Sequence, residues 1–281
     1  MKENSRLRRL IASPLRIGLG GEGVLRTEGK EREARAMLMA AYESGIRYFD
    51  SAPAYAGSEG YLGQFWADQP ERKDHTFQAS KSAKRDANGA SEDLARSLSR
   101  LHRDHLDLWQ IHDLRTMGDI RQLERPGGAL REFYQARENG TVRGIGATGH
   151  YDPAVLLHAV THWDIDSVLL PVNPVEAAVG GFIDRVITAA RDRDIGVIGM
   201  KVLGAGNYLF PESGLSPESL IHFALSRDVD LVIVGCSNPA ETRTLAQMAD
   251  RPASMEEGEQ ARLIETVRPY ADRLAYYRGV I

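Results

Sequence analysis

The sequence predicts one (β/α)8 barrel, the TIM-barrel class of α/β folds, with an added C-terminal helix. Short β-branched runs alternate with longer amphipathic stretches, the pattern of parallel βα units. Eight such runs occur, each followed by a helical segment, which is the count and order of this barrel. A length of 281 residues, with 42% hydrophobic and 26% charged residues, suits one barrel-sized core, so residues 1–281 are read as a single domain.

The runs are Arg16–Leu19, Arg47–Asp50, Thr76–Ser80, Leu106–Ile111, Val142–Ala147, Ser167–Leu170, Gly196–Met200 and Leu231–Val234. Helix starts follow several of them. Asp152-Pro153, Ser216-Pro217 and Asn238-Pro239 each set a capping side chain before a proline at the first helical position. Ser91, followed by Glu92 and Asp93, reads as another start, with Leu94, Leu98 and Leu101 on one face. Gly45 and Gly140 stand where helices should stop. Asp113 to Gly128 reads as a long, functional loop after the fourth strand. Glu256–Tyr277 reads as the added helix.

Bulk properties narrow the function. A net charge of −4 argues against a general nucleic-acid or membrane-surface binder. No apolar run reaches the length of a membrane span, and no apolar core follows the basic start Met1–Arg6. Cys236 is the only cysteine, so one chain holds no disulfide and no cysteine-based metal cluster. The cytoplasm is the simplest setting.

Active sites of such barrels form where strands end. The second strand ends in Asp50 and runs on to Tyr55; the third gives Lys81; the fourth gives His112. Each has an ordinary structural explanation: a turn-forming Asp, a packing Tyr, a solvated Lys, a satisfied His. Their meeting on one rim favours chemistry. A phenol is a poor acid at neutral pH, and a nearby ammonium is expected to lower its pKa. Lys81 can supply that charge, Asp50 can hold Lys81, and His112 can orient a carbonyl oxygen. The set lacks an activated serine and metal ligands. It suits oxygen protonation while a hydride arrives from a cofactor.

These residues also carry a resemblance. The stretch from Phe49-Asp50-Ser51-Ala52 through Tyr55 to Ser58-Glu59-Gly60-Tyr61-Leu62-Gly63 resembles the aldo-keto reductase signature. Leu106-Asp107-Leu108-Trp109-Gln110-Ile111-His112 and Gly140-Thr141-Val142-Arg143-Gly144-Ile145-Gly146 are similar to two further segments of that family. The resemblance runs from about Ile17 to Gln247. It implies that Tyr55 is the general acid/base, that Asp50 and Lys81 tune it, and that His112 orients the substrate. It also implies a nicotinamide cofactor, NADP(H) favoured and NAD(H) possible, held by Gly20, Gly21, Thr148, Gly149, Asn173, Met200, Lys201, Leu203, Gly204, Ser237, Arg243 and Gln247.

Several of these positions depart from the family pattern. Thr148-Gly149 stands for Ser-Asn, so the backbone of Gly149 would have to serve. Asn173-Pro174 stands for Asn-Gln. Met200 replaces a stacking tyrosine in a Met-Lys-x-Leu-Gly-x-Gly version that resembles a bacterial branch, here without that branch's ferredoxin-like extension. Lys201 could meet a pyrophosphate or be a solvated rim lysine. Cys236 replaces a lysine at the 2′-phosphate site, leaving Arg243 as the cationic anchor. Strand alternation puts Gly144, Gly146 and Thr148 on one face, which would leave room inside the barrel. It turns Gln110 inward and Trp109 toward the helices. His150 reads as a rim histidine, and Cys236 as a small buried residue.

The expected activity is interconversion of a carbonyl and its alcohol, acting on a small molecule, by a monomer or weak homo-oligomer. A lyase or isomerase using Lys81 as a Schiff base is a second class, and a binding protein on the same scaffold a third. Glu22–Leu25, Asp113–Gly128 (with Arg115, Met117 and Arg121) and the tail after Tyr276 should shape the pocket.

Overall fold

A computed structural model of the chain describes residues 5–11, 16–250 and 254–279; the start Met1–Asn4 lies outside them. Among the described residues, β1 (Ile17–Gly23), β2 (Tyr48–Asp50), β3 (Phe77–Ser82), β4 (Leu106–Ile111), β5 (Val142–Thr148), β6 (Ser167–Pro171), β7 (Gly196–Met200) and β8 (Leu231–Cys236) form a closed barrel. Each strand pairs in parallel with the next, and β8 closes on β1. The protein is a (β/α)8 barrel.

Strand alternation divides the apolar residues into two cores. Outward side chains pack on the helices; Trp109 stacks on Phe133 with ring centroids 3.7 Å apart, facing the helices as the alternation predicts. Inward ones, among them Tyr48, Phe77, Leu108, Leu169, Ile198 and Leu231, form a smaller core inside the barrel. A helix at Arg6–Leu10, which has no clear signal in the sequence, closes the end of the barrel opposite the mouth. Its Leu7 is fully buried in the inner core and lies against Gly196. A Cβ on Gly144 would stand 2.5 Å from Leu10, and one on Gly146 would collide with the Ser167 hydroxyl. The room expected beside these glycines is therefore filled.

The three caps that precede a proline form as read, with the side chains of Asp152, Ser216 and Asn238 accepting backbone N–H groups. Gly45 and Gly140 end their helices at φ +88° and +80°. Three readings change. The helix after β3 starts at Ala87, because the Asp86 side chain accepts the Gly89 N–H at 2.8 Å; Ser91 is inside it. The stretch Asp113–Gly128 contains a helix, Met117–Glu124, begun by reciprocal Thr116 and Asp119 bonds. The C-terminal helix is broken: Glu257–Val267 ends before Arg268-Pro269, where proline removes a donor, and a short turn follows at Ala271–Leu274.

No helix among the described residues is long and apolar enough to cross a membrane.

Candidate active site

The ends of β2, β3 and β4 bring Asp50, Lys81 and His112 together, with Tyr55 in the turn above them. Asp50 pairs in register with Ala79, and Lys81 with Gln110, so both side chains rise from one inner face. Lys81 is fully buried. Its ammonium forms an ion pair with Asp50 and donates to the Ser51 carbonyl at 2.7 Å. The same ammonium lies 4.8 Å from the centre of the Tyr55 ring. The Tyr55 and His112 rings meet edge to face, with centroids 5.7 Å apart. Gln110 turns inward as expected, and its amide reaches Asp50 at 3.4 Å.

The local sequence explains this arrangement. The Ser51 hydroxyl donates to Ser58 at 2.8 Å and ties the strand end to the start of the helix Ser58–Asp68. Glu59, buried on that helix, accepts from Ser80 of β3 at 2.7 Å. Gly63 lets the helix approach the Arg100 carbonyl where any side chain would collide. A Cβ on Gly21 would lie 2.8 Å from both the Tyr55 ring and the Asp50 carbonyl oxygen. Gly21 therefore makes room for Tyr55 itself.

Burial disfavours the Lys81 ammonium, but Asp50 and Tyr55 outweigh it and raise its pKa. For Tyr55, burial pushes the pKa up; Lys81 opposes this without reversing it. The net lowering expected from the sequence is not found, and Tyr55 keeps its proton at neutral pH. His112 is held down to about 3, first by burial and then by the Lys81 charge. It is a neutral imidazole across the ordinary pH range.

Sequence reasoning missed the group that fixes His112. Arg85 donates to the His112 carbonyl at 3.0 Å and to the Asp113 carbonyl at 2.8 Å, and it pairs with Asp119 at 2.9 Å. Arg26 was also missed; its guanidinium lies 5.3 Å from the Tyr55 ring centre. Of the loop residues, Arg115 pairs with Asp113 at 2.7 Å, while Met117 and Arg121 are exposed.

The opposite arc differs from expectation. Asn173 is fully buried and spent within the protein: its amide donates to the Lys201 carbonyl and to the Tyr277 hydroxyl, both at 3.1 Å, and its oxygen accepts the Glu176 N–H at 3.0 Å. It is a helix cap, not a free amide. A Cβ on Gly149 would meet the Leu114 carbonyl oxygen at 2.6 Å, so no larger residue fits there; its N–H already serves Leu169. The Ser237 N–H is taken by Glu241 at 2.7 Å, and Asn238 donates to the same carboxylate at 2.8 Å. Thr148 is buried at the end of β5, and Met200 packs partly buried on the inner core. Leu203 packs on the outer core, and buried Gly204 lies against the Tyr208 ring. A Cβ on Gly20 would lie 3.1 Å from the Gly235 nitrogen. Arg243 and Gln247 are exposed, four residues apart on the helix Pro239–Gln247. Cys236 is buried, with its thiol pushed up to about 12 by burial.

The tail after the last helical turn closes this arc. The Tyr277 hydroxyl donates to buried Glu176 at 2.7 Å, and Arg278 forms an ion pair with that carboxylate. His150 lies on the rim as read, with Nδ1 3.3 Å from the Tyr277 carbonyl and Nε2 3.4 Å from Asp113. Asn173-Pro174-Val175-Glu176 did carry a signal for part of this, an Asn-Pro helix start with an acid three residues on.

The model of the Aldo/keto reductase family matches residues 16–213, and the chain belongs to that family. An aldo-keto reductase of Mycolicibacterium paratuberculosis is 33% identical over 131 residues, covering 46% of this chain and 43% of the relative. The aldo-keto reductase YhdN of Bacillus subtilis is 31% identical over 148 residues, 47% of this chain and 43% of the relative. The matched stretch thus spans less than half the length of these curated relatives. Among solved structures, aldo-keto reductase AKR11C1 from Bacillus halodurans superposes with a TM-score of 0.71 at 18% identity, covering 95% of this chain and 93% of that one. At that identity the likeness speaks for the fold.

Proposed function

We propose that this protein is an oxidoreductase that interconverts a small carbonyl compound and its alcohol with a nicotinamide cofactor, acting on the CH–OH group. The observation that carries this reading is the fully buried Lys81, paired with the Asp50 carboxylate and lying 4.8 Å from the centre of the Tyr55 ring.

When bound, the cofactor supplies or accepts a hydride at the reacting carbon. Tyr55 gives its proton to the carbonyl oxygen, and Lys81 holds the resulting phenolate while Asp50 balances the charge. Neutral His112 donates a hydrogen bond to the same oxygen and sets its direction. In the alcohol-to-carbonyl direction the phenolate takes the proton back. Lys81 is not free for Schiff-base chemistry in this reading, because attack needs a neutral amine and Asp50 keeps it charged.

The residues present fit a dinucleotide. Met200 offers an apolar, polarisable floor at the end of β7, and Thr148 a buried hydroxyl-bearing side chain at the end of β5. Arg243 is exposed and forms no ion pair among the described residues, which favours NADP(H); the Glu241 carboxylate at the same helix start opposes it and leaves NAD(H) open. The reading carries with it a single domain over residues 1–281, a cytoplasmic setting and a monomer or weak homo-oligomer.

The test is an oxidation and reduction screen with both cofactors, together with Tyr55→Phe. Turnover should fall by on the order of 10²–10⁴-fold, while cofactor affinity stays within about twofold and NADPH binds more tightly than NADH. Near-normal turnover in Tyr55→Phe sinks the mechanism. A borohydride-trapped adduct at Lys81 would support a lyase, and tight cofactor binding without turnover would support a binding protein.

A further inference from the structure

Lys201 follows β7, across the barrel from the tetrad of Asp50, Tyr55, Lys81 and His112, and its ammonium lies 5.3 Å from the centre of the Tyr277 ring. It is within electrostatic reach of Glu22 near the end of β1 and Arg26 just after it, of Asp113 after β4 and of His150 after β5. A side chain that feels charges on all these sides projects over the mouth.

The other charges facing that mouth cancel in pairs. Glu22 binds Arg26 at 2.8 Å, Asp113 binds Arg115 at 2.7 Å, and Asp50 binds Lys81. Lys201 forms no ion pair among the described residues, so the mouth is left with one surplus positive charge. The position is also built with care. Lys201 sits at φ +53°, a left-handed conformation that a lysine rarely takes. Its carbonyl is pinned by buried Asn173, and the ring beside its ammonium is fixed through the Tyr277 hydroxyl to Glu176. Burial lowers its pKa, the mark of a cation that has lost water without gaining a fixed counter-ion.

We propose that Lys201 is the seat for a negatively charged group on the substrate, so that the enzyme prefers aldehydes or ketones that also carry a carboxylate or phosphate. This rests on the carbonyl-reducing function proposed above. The tetrad holds the carbonyl oxygen, and Lys201 holds the anionic end across the mouth, with the C-terminal tail as its support.

Two substrate pairs test it: succinic semialdehyde against butanal, and 4-carboxybenzaldehyde against methyl 4-formylbenzoate. The wild type should favour the acid of each pair at least tenfold in kcat/KM, about 1.4 kcal/mol, through KM rather than kcat. That ratio should fall to about one in Lys201→Met and stay within roughly threefold of the wild type in Lys201→Arg, where the charge remains. A ratio near one in the wild type, or an unchanged ratio in Lys201→Met, overturns the proposal. Calorimetric titration with succinate and benzoate needs no turnover, and Lys201→Met should weaken the binding at least tenfold. Unchanged binding, or a loss confined to NADPH affinity, overturns the proposal and in the second case assigns the charge to the cofactor diphosphate. Should the wild type reduce no carbonyl, the proposed function fails, and the succinate and benzoate titrations still decide Lys201.

Discussion

Across β2, β3 and β4 the groups at the barrel mouth are side chains locked by other side chains: Lys81 on Asp50, Ser51 on Ser58, Glu59 on Ser80. Across β5 to β8 the mouth is shaped instead by close backbone approaches at Gly149 and Gly204, by left-handed turns at Lys201 and Ala205, and by a tail that arrives from the far end of the sequence. Each arc holds one buried ion pair, Lys81–Asp50 on one side and Arg278–Glu176 on the other. The first pair lies beside the proposed reacting group. The second fastens a wall. The difference teaches that equal burial does not make equal roles.

Breaking each pair sharpens that contrast. Asp50→Asn leaves the Lys81 ammonium buried without a counter-ion and should cost about 3–5 kcal/mol, read from urea unfolding at neutral pH. The double variant Asp50→Asn/Lys81→Met should lose less, because it strands no charge; an equal or larger loss would show that packing, not charge, dominates there. Arg278→Ala should have a smaller global effect, since the tail can lift and let water reach Glu176. Its signature should be faster hydrogen exchange at residues 275–279 while β2–β4 stay protected. Exchange accelerated throughout the barrel would instead make the tail part of the main cooperative unit.

The smallest effect concerns His112. Its pKa is near 3 in the folded protein against an ordinary 6.5, so as pH falls below about 6.5 the unfolded chain takes up a proton that the folded chain refuses. The His112 contribution is complete above about 6.5 and is lost progressively toward 3. Wild-type unfolding midpoints should therefore drop more between pH 7.5 and 4.5 than those of His112→Gln. Equal drops would mean that His112 titrates normally.

The legible parts of the sequence were those in which local chemistry decides. Eight strands, three caps set before a proline and two glycine stops rest on alternation, capping and φ, all visible within a few residues. The meeting of Asp50, Lys81 and His112 with Tyr55 was legible because the first three stand at the ends of adjacent strands and Tyr55 follows the first of them within a family-like motif. What escaped depends on contacts between distant segments: Leu10 filling the space beside Gly144, Arg85 reaching two carbonyls after β4, Tyr277 engaging Asn173. The sign of the Tyr55 shift escaped for a similar reason, since Lys81 can be read from the strand while the depth of burial cannot. The capping role of Asn173 escaped because such a side chain has two uses, and only the fold shows that it caps the helix after β6.

The helix at Arg6–Leu10 bears on the order in which the molecule can be assembled. Leu7 rests on Gly196, Ser5 donates to Asp230 at 2.8 Å, and Arg191 binds the same carboxylate at 2.7 Å. During synthesis these partners emerge nearly two hundred residues or more after the helix itself. The helix precedes every one of the eight strands in the chain, and its seat is complete only once β7 and β8 exist.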